Sequence, residues 1–151
     1  MEFFIDRLRE ELKTDEGCKY EIYLDHLGLP TYGIGHLVTE KDPEYGMEVG
    51  TLVDEIRVNE VFEQDIQVTI NDCKKVYDDW DSMDETVKLI CCNMMFNLGY
   101  PRYCKFKKMI QAIKDGDWLE AGNQMKDSRW YKQVTNRADR LISRMRAIGL
   151  S

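Results

Sequence analysis

No stretch of this 151-residue chain approaches the ~20 consecutive apolar residues that cross a bilayer as a helix, so membrane insertion is not expected. The N-terminus, Met1-Glu2-Phe3-Phe4-Ile5-Asp6-Arg7, lacks both the basic start and the apolar core of a secretory signal. Cysteine is present as an odd set of five (Cys18, Cys73, Cys91, Cys92, Cys104) without a CxxC spacing, which suits neither a disulfide framework nor a zinc site. Histidine is scarcer still: His26 and His36 are the only two, and neither lies near a cysteine pair. No metal site and no organic cofactor are expected. Positive charge is also short, 21 Lys and Arg against 28 Asp and Glu, a net charge of −7 that excludes the usual basic nucleic-acid binder. Low-complexity tracts, internal repeats and long linkers are absent as well.

What is there is an ordinary globular composition, 43% hydrophobic and 32% charged. At this length the chain fits one domain, or two small lobes sharing a core, acting as a monomer and burying roughly two-thirds of its unfolded surface. The charge is uneven. Between Lys126 and Arg146 stand Lys126, Arg129, Lys132, Arg137, Arg140, Arg144 and Arg146 against only Asp127 and Asp139, a basic face able to meet an anionic polymer.

Phe4, Leu8 and Leu12 recur at helical spacing and predict a first helix ending near Thr14-Asp15-Glu16-Gly17, with Gly17 as its stop. From Tyr20 to Val38 the pattern changes to alternation. Tyr20, Ile22 and Leu24 alternate with polar positions, Asp25-His26-Leu27-Gly28 turns, and Thr31 to His36 follows, which predicts a small antiparallel sheet. Lys41 to Gly50 reads as loop. Asp54 is a suitable N-cap for a long helix over about 54–76. Val87 to Leu98 is nearly all apolar and predicts a buried core helix, with further helices over Lys105–Lys114, Trp118–Lys126 and Asn136–Ile148. The fold class that results is α+β and mostly helical. A small N-terminal lobe (about 13–55) carries the sheet, the long helix links it onward, and a helical C-terminal lobe (about 77–151) packs with the first helix.

The chemistry sits between Glu16 and His36. Glu16 ends a helix, where the partial negative charge of the last carbonyls favours a protonated acid. Asp25 stands at a strand end beside a turn, more solvated. Two carboxyl groups in environments that favour opposite protonation states suit hydrolysis of a glycosidic bond: one protonates the leaving oxygen, the other activates water or stabilises the cationic transition state. Thr31 offers a hydroxyl from the facing strand to hold that water. Spacing alone does not decide the matter, because a chain with 28 acidic residues holds many such pairs, and two solvated surface acids are the plainer reading. His36 reads better as a structural histidine paired with Asp65 on the long helix than as a catalytic one. His26 lies in a turn and reads as exposed. Gly33 and Gly35 are no phosphate loop, since no Lys or Ser/Thr follows at the required place; they permit close backbone approach in the sheet. Trp130, Met94, Met95 and Met109 read as packing.

The run from Glu16 to Leu37 resembles the catalytic segment of the phage lysozymes, most nearly the T-even type, with the spacing of Glu16, Asp25 and Thr31 and the run Gly33-Ile34-Gly35-His36-Leu37 kept. Asn93 to Gly99, Ser128 to Gln133 and Asn136 to Arg140 are similar to later family motifs, so the resemblance covers essentially the whole chain in order. It implies a lysozyme-like fold with the active cleft between the lobes, and hydrolysis of the β-1,4 bond between N-acetylmuramic acid and N-acetylglucosamine in bacterial peptidoglycan. It makes Glu16 the general acid, Asp25 the second carboxylate and Thr31 the water-placing residue. Leu37, Phe96, Asn97 and Gln124 become substrate-binding residues, and Arg137 a supporting residue beside Glu16, where its charge would oppose the protonated acid. It also implies an endolysin that waits in the host cytoplasm until it reaches the wall. The chain departs from the T-even type in its acidity, in a shorter segment between Leu37 and the long helix, and in Met109 at a position where a small polar cleft residue is usual. A catalytically silent peptidoglycan-binding protein and a lytic transglycosylase are the alternatives. Retention of Glu16, Asp25 and Thr31 together argues against both.

Overall fold

The computed structural model describes residues 2–150, leaving the Glu2 side chain aside, as an α+β lysozyme-like fold in which helices far outweigh one small sheet. The chain divides into two compact units, residues up to Val68 and residues from Thr69.

The first unit begins with helix α1 (Glu2–Glu16), whose stripe Phe4, Leu8 and Leu12 is buried. The helix ends where Gly17 takes a φ of 71° and its N–H returns to the Lys13 carbonyl, 3.0 Å away. Glu16 is therefore the last helical residue. Strands β1 (Lys19–Leu24), β2 (Pro30–Gly33) and β3 (His36–Leu37) form an antiparallel sheet in the order β1-β2-β3. Tyr23 pairs with Thr31, and Tyr32 with His36. Helix α2 (Glu55–Val76) follows, and the division between the units falls inside it.

The sheet differs from the simple alternation read in the sequence. Of Tyr20, Ile22 and Leu24 only Ile22 is buried; the other two are about half exposed. The strand also departs from a regular ladder in two ways. The β1–β2 register slips between Lys19 and Tyr23. The far edge of β1 is also covered by the segment before α2, with hydrogen bonds from Gly50 N to the Ile22 carbonyl (2.8 Å), from Ile22 N to the Thr51 carbonyl (2.9 Å) and from Val53 N to the Tyr20 carbonyl (2.9 Å). Residues 50–53 thus protect an edge that would otherwise be open.

The second unit is helical. Asp84 caps α3 (Glu85–Leu98) by accepting from the N–H groups of Thr86 and Val87. Nine of the 14 residues of α3 are buried, as its continuous apolar run requires. Gly99, with a φ of 79°, breaks the chain as expected, but Pro101 lies inside a short helix, α4 (Tyr100–Tyr103), rather than ending one. A proline is tolerated there because first-turn N–H groups have no helical partner. Then come α5 (Lys107–Lys114), α6 (Trp118–Lys126), α7 (Arg129–Gln133) and α8 (Thr135–Ala147). Helix α7 is an addition to the sequence reading; Ser128 starts it, accepting from Tyr131 N and donating to the Met125 carbonyl at 2.6 Å.

Cys73 and Cys92 are buried with their sulfurs 3.9 Å apart, next to a buried hydrogen bond of 2.7 Å between the Tyr77 and Tyr103 hydroxyls. Burial pushes the Cys91 thiol up to about 12, so it packs as a neutral group. All five cysteines are free thiols. Met94, Met95, Met109 and Trp130 are core residues, and Met109 is fully buried rather than a cleft residue. Among the described residues no helix is long and apolar enough to cross a membrane.

Candidate active site

The β1–β2 hairpin and the end of α1 carry the candidate catalytic residues. Asp25 closes the hairpin: its Oδ1 accepts from Leu27 N (2.8 Å) and Leu29 N (2.9 Å), and its own N–H donates to the Leu29 carbonyl (2.9 Å). Such a side-chain turn fixes the carboxyl plane without using Oδ2. Thr31 is 4% exposed, and its hydroxyl donates to the same Leu29 carbonyl at 3.0 Å. Its proton is thereby committed, which leaves the Thr31 oxygen only acceptor capacity towards any further partner. One carbonyl, Leu29, links the placement of both residues.

Tyr23 was not singled out from the sequence. It stands opposite Thr31 and two residues before Asp25. Burial is the main effect that holds its phenol above the usual range, and the negative charges of Glu16 and then of Asp25 add to it. The Lys19 ammonium covers its face, 4.4 Å from the ring centre. The alternation of β1 was the available signal, since Tyr23 and Asp25 share one face of the strand.

His36 and Asp65 are brought together: Nδ1 lies 2.7 Å from Asp65 Oδ2. A second carboxylate, Asp42, lies 3.1 Å from Nε2 and also accepts from Thr39 N. Asp42 belongs to the segment read as loop, and no local pattern marked it. Burial of the ring opposes the charged form and is the largest single effect, but Asp65 and Asp42 together outweigh it and raise His36 above the ordinary histidine value. Burial likewise works against the Asp42 carboxylate, yet Thr39 and His36 hold it below the ordinary range. Alongside, Glu44 accepts from the Tyr32 hydroxyl and from Arg57, tying the same loop to α2.

A raised histidine stabilises the fold fully below about pH 6.5 and loses that contribution as pH rises through its folded value. A depressed Asp42 contributes above the ordinary aspartate value and loses its part as pH falls through the lower folded one. His36→Asn should therefore cost most near pH 5, about 1.5–3 kcal/mol from charged hydrogen bonds, and much less above pH 9. Urea denaturation of both proteins at the two pH values checks this; an equal cost at both would remove the charged pair.

In the second unit, Phe96 and Asn97 are half-buried near the end of α3, and Asn97 Oδ1 accepts from the Trp130 indole at 2.7 Å. Gln124 donates to Glu120 within α6 (3.1 Å). Arg137 is 7% exposed and donates through Nε to Asn93 Oδ1 at 2.7 Å. Leu37, in the first unit, is 44% exposed, a large apolar side chain left to solvent. Among the described residues no cluster of His, Cys, Asp and Glu is arranged to hold a metal ion.

Residues 13–147 match the phage lysozyme family. The chain belongs to that family. Membership makes it a glycoside hydrolase of the lysozyme type. It is 32% identical to a probable T4-type lysozyme 2 of Dictyostelium discoideum, over 92% of this chain and 93% of that protein. It is 31% identical to the pre-baseplate central spike protein Gp5 of Enterobacteria phage T4, over 89% of this chain but 26% of that protein. The peptidoglycan hydrolase gp36 of Pseudomonas phage phiKMV is 29% identical over 91% of this chain and 15% of its own length. The lysozyme thus has relatives of its own length as well as relatives in which the matching part is a fraction of a larger protein.

Proposed function

We propose that this lysozyme hydrolyses the β-1,4 bond between N-acetylmuramic acid and N-acetylglucosamine in bacterial peptidoglycan, with Glu16 as general acid, Asp25 as second carboxylate and Thr31 as the residue that places the attacking water. The observation that carries the reading is the shared use of the Leu29 carbonyl by Asp25 and Thr31. Asp25 Oδ2 and the Thr31 oxygen form a pair of acceptors. A water donating one proton to each turns a lone pair outward, towards an anomeric carbon. Glu16, at the end of α1, supplies the proton that the leaving oxygen needs. A carboxylate that activates water rather than attacking the sugar inverts the anomeric configuration.

The kinship with a protein named peptidoglycan hydrolase supports the substrate. Leu37, Phe96, Asn97 and Gln124 are assigned to glycan binding, Arg137 to supporting Glu16, and the His36–Asp65 pair to supporting the sheet. The setting we assign to it is lysis of a bacterial host, with the chain acting as a monomer from the host cytoplasm.

The test is product analysis on purified peptidoglycan at low and moderate salt, since a net charge of −7 opposes an anionic wall and salt screens that repulsion. The expected products carry new reducing ends on N-acetylmuramic acid with inverted configuration. Products ending in a 1,6-anhydro sugar would make the chain a transglycosylase. Binding without release at either salt would leave a recognition protein.

A further inference from the structure

The turn between β2 and β3 has a wall on each side. Gly33 and Gly35 both hold positive φ, 63° and 67°, on either side of the buried Ile34. A methyl group placed on Gly33 would meet the Val58 side chain of α2 at 3.0 Å. One placed on Gly35 would meet Glu16 instead, 2.6 Å from Oε1, 2.9 Å from Cδ and 3.1 Å from Cγ. The backbone of the turn therefore lies directly against the Glu16 carboxyl, with no room between them for any side chain. The turn is fastened by hydrogen bonds at His36. Gly33 packs on Val58, and His36, the residue after Gly35, is hydrogen-bonded to Asp65 of α2 and to Asp42.

We propose that Gly35 is the positioning residue of Glu16: its bare backbone, anchored through the neighbouring His36 and its carboxylate pair, closes one side of the carboxyl and confines it to a single orientation. The inference rests on the assignment of Glu16 as the acid. As the last residue of its helix, Glu16 has no following helical turn whose side chains lean back over it. A proton donor needs its oxygen held within roughly half an ångström of its productive position, at hydrogen-bond distance from the leaving atom. The turn supplies that restraint from outside the helix. It also excludes water from the covered side of the carboxyl.

Gly33 and Gly35 make a matched pair for the test. An L-residue at either site meets the same unfavourable φ, so both substitutions tax folding alike. Only the one at Gly35 displaces Glu16. Gly35→Ala and Gly33→Ala are compared with Gly35→Asn and Gly33→Asn, because asparagine accepts positive φ more readily and keeps the variants folded while retaining the Cβ. Steady-state kinetics on purified peptidoglycan, at a temperature well below all the unfolding midpoints, should show kcat lowered roughly 100-fold in both Gly35 variants, with KM little changed. The Gly33 variants should stay within about threefold of the parent in kcat. Equal kcat losses at the two glycines, or a loss at Gly35 expressed only in KM, would overturn the proposal. Glu16→Gln is run beside them. If it is inactive while the Gly35 variants match the Gly33 variants, Gly35 has no positioning role although Glu16 remains the acid; if Glu16→Gln is active, the acid assignment and the proposal fall together.

Discussion

Glu16→Gln should lower the rate of reducing-end release from peptidoglycan about 1,000-fold while leaving the protein folded. A general acid contributes roughly 10²–10⁴ to such a reaction, because the sugar oxygen is a poor leaving group until it is protonated. Glutamine keeps the volume and the hydrogen-bonding oxygen of the side chain but has no proton of useful acidity to give. Glu16 is only half-buried at a helix end, so the exchange should change stability by less than about 1 kcal/mol, the range of partly exposed sites. The measurement is the initial rate at equal folded concentration, with thermal unfolding as the check on folding. A rate within tenfold of the parent would remove Glu16 from the role of acid. Tyr23 makes the comparison informative in another way. Its phenol is held above the usual range partly by the charge of Glu16, and that part should relax in the glutamine variant, visible as an earlier tyrosinate absorbance on raising the pH.

The largest effect on stability is expected at Asn93. Arg137 is buried in the second unit, and a guanidinium removed from water must have its charge met by protein dipoles. Asn93 meets it twice, through Oδ1 at 2.7 Å to Nε and through its main-chain carbonyl at 3.3 Å to Nη2. Asn93→Leu keeps the branching of the side chain in α3 and the main-chain contact but removes the shorter bond. Stripping one partner from a buried charge costs about 3 kcal/mol. In a domain of this size, that corresponds to a fall of roughly 6–12 °C in Tm. Asn93→Asp restores an acceptor and adds an opposite charge, so it should recover most of the loss. Urea denaturation of the three proteins checks both statements. An equal loss in both variants would assign the effect to packing in α3 and not to the hydrogen bond.

Much of this protein was legible before any coordinates. The helix of Phe4, Leu8 and Leu12, its stop at Gly17, the buried run of α3 and the hairpin ending at Asp25 are all written in spacings of fewer than ten residues. Their determinants are the 3.6-residue and 2-residue periods of side-chain direction and the local chemistry of caps and turns, which act within a turn or two of chain. The family motifs are equally local, and the membership of the chain in the phage lysozyme family rests on them. The long helix and the pairing of His36 with Asp65 required only one helical face and one scarce residue type.

Other features depended on residues far apart in the chain. Nothing in the composition of residues 41–53 marks Asp42 as the second partner of His36, or marks Gly50 to Val53 as the cover of the β1 edge; both follow from where the loop is carried in space. The half-exposure of Tyr20 and Leu24 and the register slip beside them were not legible in the alternation, which carries no record of the two extra residues that β1 holds between Lys19 and Tyr23. Burial of Met109 depended on the helices around it, since a methionine reads the same in a core and at a cleft. The glycines make the division sharpest. Their presence at positions 33 and 35 announced a close approach, and sequence could go no further, because a residue without a side chain names no partner. Only the tertiary structure set Val58 against one and the Glu16 carboxyl against the other.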